Sequence, residues 1–99
     1  MDFEIPKKFT LGGVEHKVVI QKTVGDNCDF GNWDSVGTIR IAEMVGSEKT
    51  SISRQRQTFW HELTHSILSI MGKEDLNDDE SFVNTFASFL SGAIDTMQN

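Results

Sequence analysis

The sequence predicts an α+β fold: a small antiparallel three-stranded sheet over residues 1–45, followed by two helices over residues 51–99. Two periodicities carry this reading. Up to about residue 45 apolar residues alternate around glycines, the period of a strand; from Ser51 onward they recur every three or four residues, the period of a helix. A chain of 99 residues buries one modest core, so both halves belong to a single domain, 1–99.

The elements follow in order. Phe9-Thr10-Leu11 and Val14–Gln21 flank Gly12-Gly13, and paired glycines supply the positive φ angles of a tight hairpin turn. Residues 25–37 hold Gly25, Gly31 and Gly37 among Asp and Asn and read as a long loop. A third strand spans about Thr38 to Glu43, with Ile39 and Ile41 on one face. The first helix carries Phe59, Leu63, Ile67 and Ile70 as its apolar stripe, widened by Trp60 and Met71. Thr50, Ser51 or Ser53 caps its start and Gly72 stops it. Residues 73–79 form an acidic connector. A second helix runs from about Asp78 to Met97, with Phe82, Phe86, Phe89, Leu90, Ala93, Ile94 and Met97 on its apolar side. Asn77 and Glu80 have the spacing of a capping box.

Composition excludes several functions. A net charge of −6 argues against a nucleic-acid partner, whose phosphates demand cations. No basic amphipathic stretch suits a membrane surface, and no apolar run spans a bilayer. Met1 to Lys8 lacks the apolar core of a signal peptide, so the expectation is a cytoplasmic protein. A single Cys rules out an internal disulfide and any multi-cysteine zinc site.

The chemistry concentrates on the first helix. His61-Glu62-Leu63-Thr64-His65 is an H-E-x-x-H segment. Residues four apart on a helix stand one above the other, about 5–6 Å apart at Cβ, so His61 and His65 can share one metal ion. Glu62 is then free to act as general base on water. Surface placement, with Glu62 in helix-surface pairs, is the plain alternative. A zinc site needs a third protein ligand. Leu68 and Met71 stand where a metzincin would carry Gly and a third His. The acids after the helix, Glu74, Asp75, Asp78, Asp79 and Glu80, are the candidates. Glu80 fits best, because it begins a helix whose apolar face must meet the first, a gluzincin arrangement.

These residues resemble a known family. His61–Leu68, followed by Glu80-Ser81-Phe82-Val83-Asn84-Thr85-Phe86-Ala87-Ser88-Phe89-Leu90, is similar to the ImmA/IrrE-like metallopeptidase domain, in which H-E-L-x-H precedes a helix of the form E-x-x-A-N-x-F-A-x-x-L. It also looks like the small phage and prokaryotic stand-alone versions called minigluzincins. Val83 replaces the family's Ala. Phe30–Asp34 and Gly37–Ile41 are similar more loosely. No helix-turn-helix or sensor segment is present, so regulatory roles of larger members do not carry over. The resemblance implies a zincin-like minimal fold, Zn²⁺ as cofactor, Glu80 as third ligand and Asn84 as the residue that orients a histidine ligand. Asn84 stands one turn after Glu80, where its amide oxygen could accept the second N–H of His61 or His65; the plain alternative leaves it facing solvent.

The expected function is a zinc endopeptidase: a metal-activated water attacks the peptide bond of a peptide or protein substrate, with Glu62 as general base. Strand 38–43 is expected to be the edge that an extended substrate pairs with. The oxyanion needs a donor and the chain has no Tyr. His16 is the remaining histidine, although its alternation with Val14, Val18 and Ile20 suits a structural residue; Arg40, Arg54 and Arg56 are further options. Cys28, among Asp26 and Asp29, reads as an ordinary loop cysteine more readily than as a thiolate that silences a zinc site. Nothing in the connector matches a calcium loop. The rival functions are a zinc-bearing interaction module that cuts little or nothing, favoured by small size, and a latent precursor.

Overall fold

The computed structural model describes residues 3–98. In chain order it has β1 (Lys8–Leu11), β2 (Val14–Gln21), β3 (Gly31–Trp33), β4 (Thr38–Ala42), β5 (Met44–Val45), β6 (Glu48–Lys49), α1 (Ile52–Met71), α2 (Glu74–Asn77) and α3 (Glu80–Thr96). The fold class is α+β, as the two periodicities require. The sheet is not the antiparallel three-stranded one they suggested. It has four strands in the order β1-β2-β4-β3 and is mixed, because β2 and β4 run parallel.

The β1–β2 hairpin forms as read. Leu11 pairs with Val14 across Gly12 (φ 54°) and Gly13 (φ 79°), a left-handed pair open to glycine at no steric cost. The stretch read as loop holds the surprise. Within it Gly31-Asn32-Trp33 forms β3, antiparallel to β4. The chain leaves β2, crosses over, adds β3 at the far side and inserts β4 between β2 and β3. Thr38–Ala42 is therefore a central strand, and β3 is the edge on its side, with β1 at the other. A three-residue strand rich in Gly and Asn has no alternation to read, so the topology was hidden. Asp34 closes the β3–β4 turn: its Oδ1 accepts from the Val36 and Thr38 amides, and its Oδ2 pairs with the Arg40 guanidinium at 2.9 Å.

Helix α1 begins at Ser51, whose hydroxyl accepts from the Arg54 amide, and stops at Gly72 in the left-handed region (φ 73°). It lies under the sheet and against α3. Ile39 and Ile41, both fully buried on β4, meet Phe59 and Trp60 of α1, and Val18 and Ala87 complete this core. Many polar residues of α1 are buried too. Three of them, Thr58, Thr64 and Ser66, hydrogen-bond the carbonyl one turn back, which lets hydroxyls enter the interior satisfied. Ile70 and Met71, placed on the stripe by periodicity, are exposed at the helix end.

The connector is not all loop. Residues 74–77 form the turn α2, so Asn77 is not the cap of the next helix; Asp79 is, its Oδ1 accepting from the Phe82 amide. The buried face of α3 also differs from the expected one. Val83, Ala87 and Ser91 are buried, whereas Phe86 and Phe89 are exposed at 46% and 76%. At about 100° per residue, Val83, Ala87, Leu90, Ser91 and Ile94 all project within about 80° of Glu80, and Phe82, Phe86 and Phe89 lie about 120–180° away. One helix cannot turn both sets inward. The set containing Glu80 faces α1, and its small residues let the helices approach closely.

Among the described residues, no helix is long and apolar enough to cross a membrane.

Candidate metal centre

Three donors converge where α1 meets the start of α3. His61 and His65 rise from one side of α1, their ring centroids 5.0 Å apart. Glu80, the first residue of α3, reaches both. Its Oε2 lies 3.7 Å from His61 Nε2, and its Oε1 lies 3.4 Å from His65 Nε2. One ligand atom from each of the three residues falls within 4.8 Å of the other two. Two ligands bonded to zinc at about 2.0–2.1 Å with tetrahedral angles stand about 3.3 Å apart. The donor set, two imidazole nitrogens and a carboxylate, and its spacing fit one such ion.

Protonation suits ligation. His65 Nδ1 lies 2.6 Å from the Asn77 Oδ1. An amide oxygen only accepts, so Nδ1 donates; in the neutral tautomer this selects, the lone pair is on Nε2, facing Glu80. Trp33 on β3 stacks on the same imidazole, centroids 5.6 Å apart and planes 8° from parallel. His65 is held from two directions. Burial, then the neighbouring His65, lowers the pKa of His61, against opposing effects from Glu80 and an Asn84 side-chain hydrogen bond. The lowered pKa favours the neutral imidazole that a metal needs.

Glu62 is buried beside this group. Its pKa is pushed up to about 7, first by burial and then by the nearby carboxylates of Glu80 and Asp29. A carboxyl poised near neutrality is suited to exchanging protons. It borders two adjoining cavities of about 410 and 500 Å³ that share Asp29, Gly31, His61 and Glu62. Together they make one cleft, with β3 along its wall.

Gly31 sets the width of that contact. A Cβ at this position would stand 2.5 Å from Thr58 Cγ2 and 2.6 Å from the Arg40 carbonyl oxygen, with Glu62 Cγ at 3.6 Å. Gly31→Ala is expected to push β3 off α1 and to lower the unfolding free energy by about 1–3 kcal/mol. A urea titration measures this; an unchanged midpoint would refute the spacing role.

No family model, curated protein or solved structure matches the chain. The site is therefore read from its own geometry. His61, Glu62, His65 and Glu80 come together, and Asn84 stands next to His61 at the cleft wall. His16 does not join them. It is buried against Phe9, ring centroids 5.1 Å apart, with Nδ1 3.0 Å from the Val14 carbonyl, and it lines neither cavity. Arg40 is engaged by Asn32 and Asp34. Cys28 turns its thiol to the Gly25 carbonyl and also lines neither cavity. Two residues of the site were missed in the sequence. The capping-box spacing assigns Asn77 to a helix cap and the glycine-rich composition assigns Trp33 to a loop, whereas the structure places both against His65. The need of every histidine ligand for a second hydrogen-bond partner was the available signal for Asn77.

Proposed function

We propose that this chain is a zinc-dependent endopeptidase of the gluzincin type, with His61, His65 and Glu80 as metal ligands and Glu62 as general base. The observation that carries the proposal is a buried carboxyl, Glu62, that borders the cleft beside a convergent His-His-Glu donor set. A purely structural metal site has no use for such a group. The resemblance of the His61 and Glu80 segments to the ImmA/IrrE-like domain supports the same reading.

A bound zinc ion would supply Lewis acidity, lowering the pKa of water towards about 7 and polarising a carbonyl. The remaining work falls to the chain's own groups. Glu62 accepts a proton from water as the carbonyl carbon is attacked and returns it to the leaving amine. Asn77 and Trp33 keep the His65 ring oriented, and Asn84 does the same for His61. The edge that can pair with an extended substrate is β3, because β4 is covered by it.

Zinc-loaded protein is expected to cleave unfolded casein, and the cleavage should stop with a chelator and return with added zinc. Fragment mass spectrometry reads the outcome. Absence of cleavage at any metal load would leave the alternative, a metal-bearing interaction module.

A further inference from the structure

The cleft is electrically lopsided. On one side of His61 and Glu62 its wall carries Glu74, Asp78 and Glu80. On the other side it carries Arg54, with Gln57 and Thr58 between; Asp29 and Glu62 line both parts, so the surplus of acids lies at the Glu74, Asp78 and Glu80 end. The Arg54 guanidinium lies over the Phe30 ring, 4.7 Å from its centroid. Among the described residues no carboxylate forms an ion pair with it; the ion pairs present are those of Arg40, His61 and His65. In a protein of net charge −6, this leaves Arg54 without an ion pair among the described residues, at one end of the cleft. A guanidinium stacked on an aromatic face keeps its N–H fork free at the edge, the geometry for two-point recognition of a carboxylate.

The placement along α1 gives a distance. Arg54 and His61 are seven positions apart, a rise of about 10 Å, which an extended peptide covers in about three residues. We infer that Arg54 is the specificity-determining residue of the cleft, receiving a substrate carboxylate about three residues from the cleaved bond. This rests on the peptidase reading above. The carboxylate comes from an Asp or Glu side chain or from a free C-terminus; the chemistry at Arg54 is the same. The acids at the other end of the cleft repel such a group and so fix the direction in which the peptide lies.

The test uses zinc-loaded full-length protein and one set of peptides. A single Glu or Gln is stepped through the positions around the cleaved bond, and each peptide is made as the free acid and as the amide. Mass spectrometry follows cleavage. At one position Glu should be preferred to Gln by roughly 5–10-fold in kcat/KM in the amide series; for a terminal carboxylate the same preference appears as acid over amide. Arg54→Ala should bring that ratio to unity within its own peptide pairs, and Arg54→Glu should turn it towards Lys. Lys49→Ala, which removes an exposed charge elsewhere, should leave the ratio as in wild type. Persistence of the preference in Arg54→Ala, or cleavage with no charge preference, overturns the inference and leaves the peptidase reading standing. If wild type cleaves no peptide, the peptidase reading fails by itself. Binding of the same pairs to zinc-loaded Glu62→Gln protein, by calorimetry, then decides. An Arg54-dependent difference in Kd supports carboxylate recognition, and equal Kd values overturn it.

Discussion

Glu62→Gln is expected to lose turnover by roughly 10²–10⁴-fold while binding zinc at the wild-type stoichiometry. Gln keeps the size of the side chain and removes its proton chemistry, and it is not one of the three donors. The same substitution has a second expected effect, on stability. Glu62 has a pKa of about 7 against an ordinary value of 4.5, chiefly through burial. In the unfolded chain it ionises near 4.5, so burying the carboxylate opposes folding once the pH exceeds that value. The penalty is absent below pH 4.5, grows up to about 7 and is full above it, reaching about 3 kcal/mol. In chelator, Glu62→Gln should therefore melt at a higher temperature than wild type at pH 8 and at nearly the same temperature at pH 4.5. With zinc bound the gap should narrow, because a nearby cation favours the carboxylate. Calorimetry at the two pH values, with and without chelator, measures all of this. A variant that cleaves as wild type does, or that melts lower at pH 8 in chelator, would refute the role given to this carboxyl.

Asn77→Ala is expected to weaken zinc binding about 10–100-fold. The 2.6 Å hydrogen bond from His65 Nδ1 to Asn77 fixes both the ring orientation and the tautomer that leaves Nε2 free. Without it a buried imidazole N–H loses its acceptor, and the neutral ring can move its proton to Nε2 and block ligation. Trp33 still stacks on the ring in the variant, so the fold should survive while affinity falls. Competition with a zinc-sensing dye reads the change. Asn77→Asp keeps an acceptor at the same place and should recover most of the affinity, which a merely structural role for Asn77 would not produce.

The stripe of Phe82, half-buried, and the exposed Phe86 and Phe89 shows how site and fold constrain each other. By hydrophobicity alone that stripe should face the core. It cannot if Glu80 points at the two histidines, because the two sets lie on opposite sides of α3. A donor at Glu80 was thus information about the packing of the whole helix. With Glu80 at the donor set, Val83, Ala87 and Ser91 turn inward.

Several features were legible because they are local. The Gly12-Gly13 hairpin, a cap within residues 50–53, the Gly72 stop and the stacking of His61 over His65 each depend on a few neighbouring residues and on backbone geometry that those residues dictate. The mixed sheet was not legible. Its decisive strand is Gly31-Asn32-Trp33, which is stabilised by pairing with β4 and by the absence of a side chain at Gly31, both long-range facts. The same holds for Asn77, Trp33 and Arg54, whose roles come from parts of the chain far apart in sequence. By itself the sequence determined the α+β class, the stop of the first helix and two histidines spaced for a metal, with Glu80 the favoured acid among several. The tertiary structure decided which strand borders the cleft, which face of α3 meets α1, what holds His65 and which cation lines the cleft. The division is physical: hydrogen bonds within a turn act between near neighbours, whereas close packing acts between whichever surfaces the completed fold brings together.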